Sequence, residues 1–373
     1  MTSPTATVET TPLAVTALAA HVDELTSAER VRRLLAGEPL DRVPVNAFAS
    51  AYAGIISGVS FEDYYLKPEV ALRAQQWAGA LHGWDGTPAY AMPAWGTWDF
   101  GGEIAFPATH EGGFPFASRH VAETPTEVEA LALPDPETAP ATSRTLRFAR
   151  LGWEQGIAPS VTGGSPIFEA VQMVGTDNLM RWFRREPETV DRLLTIITDY
   201  ILAIADIFVD EFGPENISVF EAFPTESHAF VSPKIFERFT LPQEVRIHEH
   251  LLARGVQTWV IHLCGDHRQN LDLWRESVPL PERPVVSIGG EMDLLEVGRV
   301  FGDKAIVGGN VSTTLLQQGT PDEVVEASRV CIERGRQHPG GFVLMPACGL
   351  PPFARPANVH AMIHAARTFG RYE

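Results

Sequence analysis

Apolar runs and amphipathic stretches follow one another in a regular order along most of the chain. Short apolar runs typical of buried strands occur at 43–48, 157–163, 216–223, 258–265, 284–290, 305–310 and 341–348. Stretches with apolar residues at helical spacing separate the later runs, at 187–211, 233–254, 293–301, 321–334 and 356–369. Four of these stretches begin with proline, which suits the first turn of a helix. Strands that alternate with helices predict parallel βαβ units.

The number of apolar runs favours a closed barrel. Seven strands are one short of a (β/α)8 TIM barrel, an α/β fold, and the missing strand is predicted within residues 83–120. A doubly wound open sheet is the alternative. It is disfavoured because no G-x-G-x-x-G motif follows the first predicted strand.

The chain is predicted to hold one catalytic domain with two additions. Residues 1–40 are predicted to form an N-terminal extension. It begins with a frayed arm, which is not a signal peptide because its start is not basic. A helix capped by Ser27 and ended by Gly37 follows. A second helix is expected at 68–81, and residues 41–373 form the barrel. Residues 83–120, rich in glycine, proline and aromatic residues, form an ordered loop or hairpin insertion.

Two tryptophans of this aromatic insertion, Trp95 and Trp98, lie among glycines. They are the best candidates to line a pocket at the barrel mouth and to contact a bound cofactor or substrate. Packing against the outside of the barrel is the alternative for both.

Charge and hydropathy narrow the function classes. The 373 residues include 47 acidic and 29 basic ones, which gives a net charge of −18. Such a surface disfavours nucleic-acid binding and electrostatic docking on an anionic membrane. No apolar run reaches the roughly 18 residues that span a bilayer, so a cytoplasmic protein is expected. Three cysteines are too few for a disulfide scaffold.

The sharpest chemical feature is the segment HLCGD at the end of an apolar run. His262 and Cys264 lie on one face of the predicted strand, because side chains alternate. Cys348 ends the last apolar run in the same way, so all three residues are predicted at the carboxyl-terminal rim, where barrel active sites lie. One imidazole and two thiols suit Zn²⁺ and leave a fourth position open. Cys331 is interpreted as a core thiol.

Other polar residues follow the ends of predicted strands. Glu221 and Glu226 are candidate catalytic residues, as a displaceable fourth ligand or a group that orients substrate, or else solvated loop acids. Asp266 is a candidate to hydrogen-bond the ligand histidine, or else caps the next helix. Asn310 is a candidate to bind cofactor or substrate, or else ties down a loop.

The H-x-C…C arrangement, with HLCGD on one strand and MPACGLPPFARPANVHAMIHAARTFG near the C-terminus, resembles the uroporphyrinogen decarboxylase superfamily. It is most similar to the methylcobamide:coenzyme M methyltransferases and related corrinoid-dependent proteins. The resemblance extends to LAGEPLDRVPV and to EMDLLEVGRVFGDKAIVGGNVSTTLLQQGTPDEV. True decarboxylases carry an arginine-bearing segment near the N-terminus, whereas this chain has no arginine between Arg42 and Arg73.

The resemblance implies a zinc-dependent methyltransferase that moves a methyl group between a methylcorrinoid and a thiol or similar acceptor. No D-x-H-x-x-G cobalamin motif is present, so methylcobalamin is expected as a co-substrate, on a separate corrinoid protein or free. Coenzyme M, homocysteine, another thiol and tetrahydrofolate stay open as acceptors, and a homodimer is possible. A metal-free porphyrinogen decarboxylase and a non-catalytic corrinoid- or metal-binding partner are the alternative functions.

Overall fold

The computed structural model describes residues 22–106 and 114–372, and the predicted N-terminal arm lies mostly outside these ranges. Six parallel strands make one sheet in the order β3 to β8, and two short antiparallel strands, β1 and β2, make a separate hairpin. The strands are β1 (Glu103–Ala105), β2 (Phe116–Arg119), β3 (Ser160–Gly164), β4 (Ser218–Ala222), β5 (Thr258–Leu263), β6 (Val285–Ile288), β7 (Ile306–Val311) and β8 (Phe342–Pro346).

Helices precede the sheet and alternate with its strands. Before β3 they are α1 (Ser27–Ala36), α2 (Ala51–Ile56), α3 (Phe61–Leu66), α4 (Pro68–His82), α5 (Trp95–Asp99), α6 (Pro125–Glu129) and α7 (Thr142–Trp153). Between strands they are α8 (Pro166–Val174), α9 (Thr176–Arg185), α10 (Pro187–Phe212), α11 (Pro233–Ile235), α12 (Leu241–Ala253), α13 (Leu271–Ser277), α14 (Leu294–Phe301), α15 (Thr313–Gln318) and α16 (Pro321–Gly335), followed by α17 (Pro356–Phe369). A π-helical segment, Phe236–Thr240, joins α11 to α12.

Six of the seven predicted strands are regular, and the barrel class is confirmed. The first, predicted at 43–48, is reduced to a parallel bridge between Val45 and Leu344 of β8. Leu344 donates to the carbonyl of Pro44 at 2.9 Å and the Asn46 N–H donates to Leu344 at 3.1 Å. Pro44 has no N–H to give to a ladder, so the pairing stays short.

The eighth position, predicted within 83–120, is taken by an extended segment and not by a regular strand. The Asp85 N–H donates to the carbonyl of Val45 at 2.7 Å. From Pro88 the same segment runs next to the start of β3. Residues 88–90 and residues 157–160, which lead into β3, line one small cavity. This segment lies between the first strand position and β3, while the β1–β2 hairpin lies outside the ring.

Helix α1 closes the amino-terminal end of the barrel. Its Leu34 packs with residues of β6, β7 and β8 that face the barrel interior, namely Val285, Ile306, Val343 and Met345. The side chain that caps α1 is Thr26, not the predicted Ser27, and it accepts from the Glu29 N–H. Gly37 ends the helix as predicted, with a φ of 70° that favours glycine.

A buried ion cluster joins α1 to the two irregular strand positions. The Asp85 carboxylate accepts from Arg30 at 2.6 Å, from Arg42 at 2.7 Å and from the Val45 N–H at 2.9 Å. All three charged side chains are at most 3% exposed. Side-chain bonds thus hold the strand position where the backbone ladder is incomplete.

The aromatic insertion packs on the barrel wall. It includes α5, whose Gly96 N–H donates to Oε2 of the buried Glu169 of α8 at 3.1 Å. Asp99 accepts from the N–H groups of Ala141 and Thr142 and from the Tyr200 hydroxyl. In the part of the chain that the structure describes, no helix has the length and apolar character needed to cross a membrane.

Replacing Asp85 by alanine removes one buried carboxylate from two buried guanidinium groups, of which Arg30 keeps Asp41 and Arg42 keeps Asp23. We expect the free energy of unfolding to fall by about 3–5 kcal/mol, the usual cost of breaking a buried ion pair. Asp63→Ala, which removes the exposed pair with Lys67, is the control and should change little. Urea denaturation followed by circular dichroism measures both, and equal effects of the two variants would contradict the assignment.

Glu169 makes stability depend on pH. Burial, with a smaller contribution from Asp99, raises its pKa to about 8. Between its ordinary value of 4.5 and 8, the folded protein keeps a proton that the unfolded chain has lost, so stability should fall as the pH rises. Glu169→Gln should flatten that part of the stability–pH curve, measured by urea denaturation. An unchanged slope would show that Glu169 is ionised in the folded protein.

Candidate metal centre

The three predicted ligands extend from the carboxyl-terminal ends of two strands. His262 is the fifth residue of β5, Cys264 follows that strand, and Cys348 follows β8. Val260, two residues before His262, packs with the interior residues that surround Leu34. Because side chains alternate along a strand, His262 faces the same interior.

The two sulfur atoms lie together although 84 residues separate them. Cys264 Sγ and Cys348 Sγ are 3.6 Å apart, and one ligand atom from each of His262, Cys264 and Cys348 lies within 4.8 Å of the others. The hydrogen bond from Cys264, aided by His262 and opposed by burial, lowers the pKa of Cys348 to about 4. The same hydrogen bond, with burial, raises the pKa of Cys264. The pair therefore loses one proton readily and holds the second between its sulfurs.

Ser287 of β6 fixes the imidazole. It lies beside His262 in the β5–β6 register, and its Oγ is 2.9 Å from His262 Nδ1. The other ring nitrogen, Nε2, is buried and has no hydrogen-bond partner. A thiolate-forming pair beside an unpartnered imidazole nitrogen is the donor set of a tetrahedral zinc site, so these residues fit the predicted ion.

Asp266 does not orient His262, and that part of its prediction is wrong. Its carboxylate accepts from the Arg268 N–H at 3.0 Å and pairs with the Arg268 guanidinium at 2.6 Å. It stabilises the turn before α13 but does not cap that helix, since the first turn of α13 has no side-chain cap. The buried His267 donates from Nε2 to the carbonyls of Phe223 and Cys264 and so anchors the loop after the ligand strand.

The two candidate glutamates lie in different environments. Glu221 is beside Ile261 in the β4–β5 register, so it faces the helices and not the barrel interior, and it contacts His248 of α12. Glu226 is buried and accepts from the hydroxyls of Ser165 and Thr225. Burial raises the pKa of Glu226 to about 7. Its charge also makes a small contribution to the raised pKa of Cys264.

The other predicted site residues make structural contacts. Asn310 Nδ2 donates to the carbonyls of Gly289 and Met292, which ties down the loop after β6. Trp95 is 8% exposed and packs beside Tyr200 of α10. Trp98 packs under the Arg144 guanidinium at 4.8 Å. These contacts match the loop-tying and wall-packing alternatives.

Phe48 is a site residue that the sequence did not indicate. Its ring centroid lies 4.7 Å from that of Phe220 and 6.3 Å from that of His262. Its φ of 47° is unusual for a side chain this large. The Phe48 N–H donates to Asn46 Oδ1 and its carbonyl accepts from the Leu350 N–H, and these bonds hold it in place. Ser287 was also missed, although a serine inside the apolar run PVVSIGG was a detectable signal.

Comparison with known proteins identifies the family of this chain. Residues 26–369 match the family "Uroporphyrinogen decarboxylase (URO-D)", so the chain belongs to that family. It is 25% identical over 363 residues to a methylcobamide:CoM methyltransferase MtaA of Methanosarcina barkeri, covering 92% of this chain and 98% of that one. It is also 25% identical over 182 residues to an MtbA enzyme of the same description from Methanosarcina acetivorans, a match that spans half of that protein.

A solved structure titled as a methyltransferase from Methanosarcina mazei shares the fold, with a TM-score of 0.74 and 21% identity, over 92% of this chain and 98% of that chain. The family match confirms the predicted superfamily, and the shared fold confirms the predicted barrel. The chain is an enzyme of this superfamily, and the relatives above are named methyltransferases.

Removing the Ser287 hydroxyl should loosen the imidazole that it orients. We expect Ser287→Ala to weaken zinc binding by about 10- to 100-fold, as for other residues that hydrogen-bond a ligand histidine. Competition with a fluorescent zinc chelator measures the affinity. Asp266→Asn is the comparison and should bind zinc as the parent does; the reverse ranking would restore Asp266 as the orienting group.

Proposed function

We propose that this protein is a zinc-dependent methyltransferase that moves a methyl group between a methylcorrinoid and a thiol. The observation that carries the proposal is the convergence of a ring nitrogen of His262 with Cys264 Sγ and Cys348 Sγ at the barrel mouth; Nε2 is the nitrogen left without a hydrogen-bond partner. Membership of the URO-D family and relatives named methylcobamide:CoM methyltransferases support the same chemistry.

The three residues would hold Zn²⁺ through one nitrogen and two sulfurs and leave one position for a substrate. Zinc bound by these residues would lower the pKa of an acceptor thiol, which is about 8.5 when free, and would favour its thiolate form. The proton shared by Cys264 and Cys348 leaves when the metal binds, so zinc affinity should rise with pH.

The side chains around the triplet shape the reaction. The acceptor sulfur forms a bond to the methyl carbon, and the carbon–cobalt bond breaks with its electron pair left on cobalt. Phe48 and Phe220 supply an apolar wall beside His262, which limits water near the nucleophile. We assign Glu226 to accept the proton that the thiol loses, since its pKa of about 7 allows both protonation states at neutral pH.

Porphyrinogen decarboxylation is the less favoured function. A substrate with several carboxylates needs cationic partners. Arg30 and Arg42, the arginines nearest the first strand position, are buried in pairs with Asp85 and are not available at the mouth. A non-catalytic binding partner would share the ligand residues, so turnover is needed to distinguish it.

Methylcobalamin is the proposed donor, free or on a separate corrinoid protein. Coenzyme M is the acceptor named for the relatives, and homocysteine, other thiols and tetrahydrofolate are further candidates for this chain. An assay with methylcobalamin against this panel, followed by the absorbance change of the corrinoid, tests donor and acceptor together.

The cysteines allow a matched test of the site. Cys264→Ala removes a ligand and should lose one zinc per chain and lower the transfer rate at least 100-fold, because the acceptor thiol is no longer activated. Cys331→Ala is the control: this thiol lies on α16 and contacts Asn310 Oδ1 at 3.7 Å, away from the triplet. Metal analysis and the methylcobalamin assay are done on both variants. Full zinc content and full activity in Cys264→Ala would overturn the proposal.

A further inference from the structure

A second group of possible metal ligands lies on the opposite side of the sheet from the candidate metal centre. Glu221 of β4 and Glu244 and His248 of α12 are all completely buried. One ligand atom from each lies within 4.8 Å of the other two. The group sits between the sheet and the helix layer, where His248 packs against the ring of Trp259 at 4.3 Å.

The hydrogen bonds of His248 define its tautomer. Nδ1 lies 2.6 Å from the carbonyl oxygen of Pro279, which only accepts, so Nδ1 carries the proton. In the neutral ring, Nε2 then presents a lone pair, and it faces Glu221 Oε2 at 3.1 Å. Two acceptors at this distance need a proton or a cation between them. A histidine that donates from Nδ1 to a backbone carbonyl is also the usual arrangement of a metal ligand.

The carboxylates carry further unsatisfied acceptors. Glu221 Oε1 and both oxygens of Glu244 are buried without a hydrogen-bond partner. Among the described residues, Glu221 pairs with His248, and neither Glu221 nor Glu244 pairs with lysine or arginine. Two buried carboxylates without such a counter-charge are costly unless protons or a cation neutralise them.

We propose that Glu221, Glu244 and His248 bind a second divalent cation of the zinc class, which clamps β4 to α12. One such ion neutralises both carboxylates and takes the His248 lone pair. With Glu244 bidentate, the group offers four donor atoms, the coordination number that zinc prefers in closed structural sites. Mg²⁺ and Ca²⁺ fit less well, because they favour six or more oxygen ligands and retain water.

The competing state is a metal-free group that holds protons. Burial, followed by the charges of Glu221 and Glu226, raises the pKa of Glu244 well above its ordinary value. In that state Glu244 is neutral and a proton lies between His248 and Glu221. The two states differ in their response to Glu244→Gln, because glutamine resembles a protonated glutamate but is a poor metal ligand.

Metal analysis of the full-length protein, purified after growth with added zinc, separates these states. We expect Glu244→Gln to lose one equivalent of metal per chain and to melt at a lower temperature than the parent. Cys264→Ala should retain the equivalent held by this group, and a chelator should then lower its melting temperature. Cys264→Ala combined with Glu244→Gln should retain none.

Glu169→Gln is the matched control, since Glu169 is a buried glutamate outside the group and its replacement should leave the metal content unchanged. Equal metal content in Glu244→Gln and the parent, with an equal or higher melting temperature, would show that the group holds protons. If Glu244→Gln does not fold, the metal content of Cys264→Ala decides: about one equivalent supports the proposal and none overturns it. The parent protein could also hold only one equivalent of metal per chain. If Glu244→Gln loses that equivalent and Cys264→Ala keeps it, the result supports the second metal site and contradicts the zinc site proposed for the transferase.

Discussion

The contact between two sulfur atoms at the barrel mouth depends on the curvature of the whole sheet. Cys264 and Cys348 extend from β5 and β8, which are separated by β6 and β7 and do not pair with each other. Their sulfurs reach 3.6 Å because the strands curve around a common interior. A change that opened the ring of strands would separate Cys264 from Cys348 even if β5 and β8 each stayed intact. The geometry of the candidate site therefore depends on closure of the barrel.

The ring is least regular on the side where α1 meets it. Pro44 interrupts the ladder at the first strand position, and the segment after α4 forms no regular strand beside it. The Asp85 carboxylate compensates by binding the Val45 N–H together with two buried guanidinium groups. A charged cluster here performs the task that backbone hydrogen bonds perform elsewhere in the sheet, which makes closure depend on side chains far from the mouth.

Neighbouring residues of one strand face two different candidate sites because side chains alternate. Ala222 of β4 lies beside His262 and faces the interior, whereas Glu221 faces α12 and its buried glutamate and histidine. The interior group contains sulfur donors and lies at the carboxyl-terminal rim, as a catalytic site requires. The outer group is fully enclosed and offers oxygen and nitrogen donors, which suits a structural role.

Local pattern determined much of this protein. Helical spacing predicted α10, α16 and α17 to within a residue or two. The alternation in HLCGD, together with the end of the last apolar run, predicted that His262, Cys264 and Cys348 lie close together. Tertiary structure decided what depends on contacts between distant segments: Ser287 rather than Asp266 beside His262, Phe48 at the mouth, and Glu244 and His248 opposite Glu221. The two-residue period of a strand and the 3.6-residue period of a helix predict which face a side chain lies on. Strand register and helix packing determine which residue it contacts there.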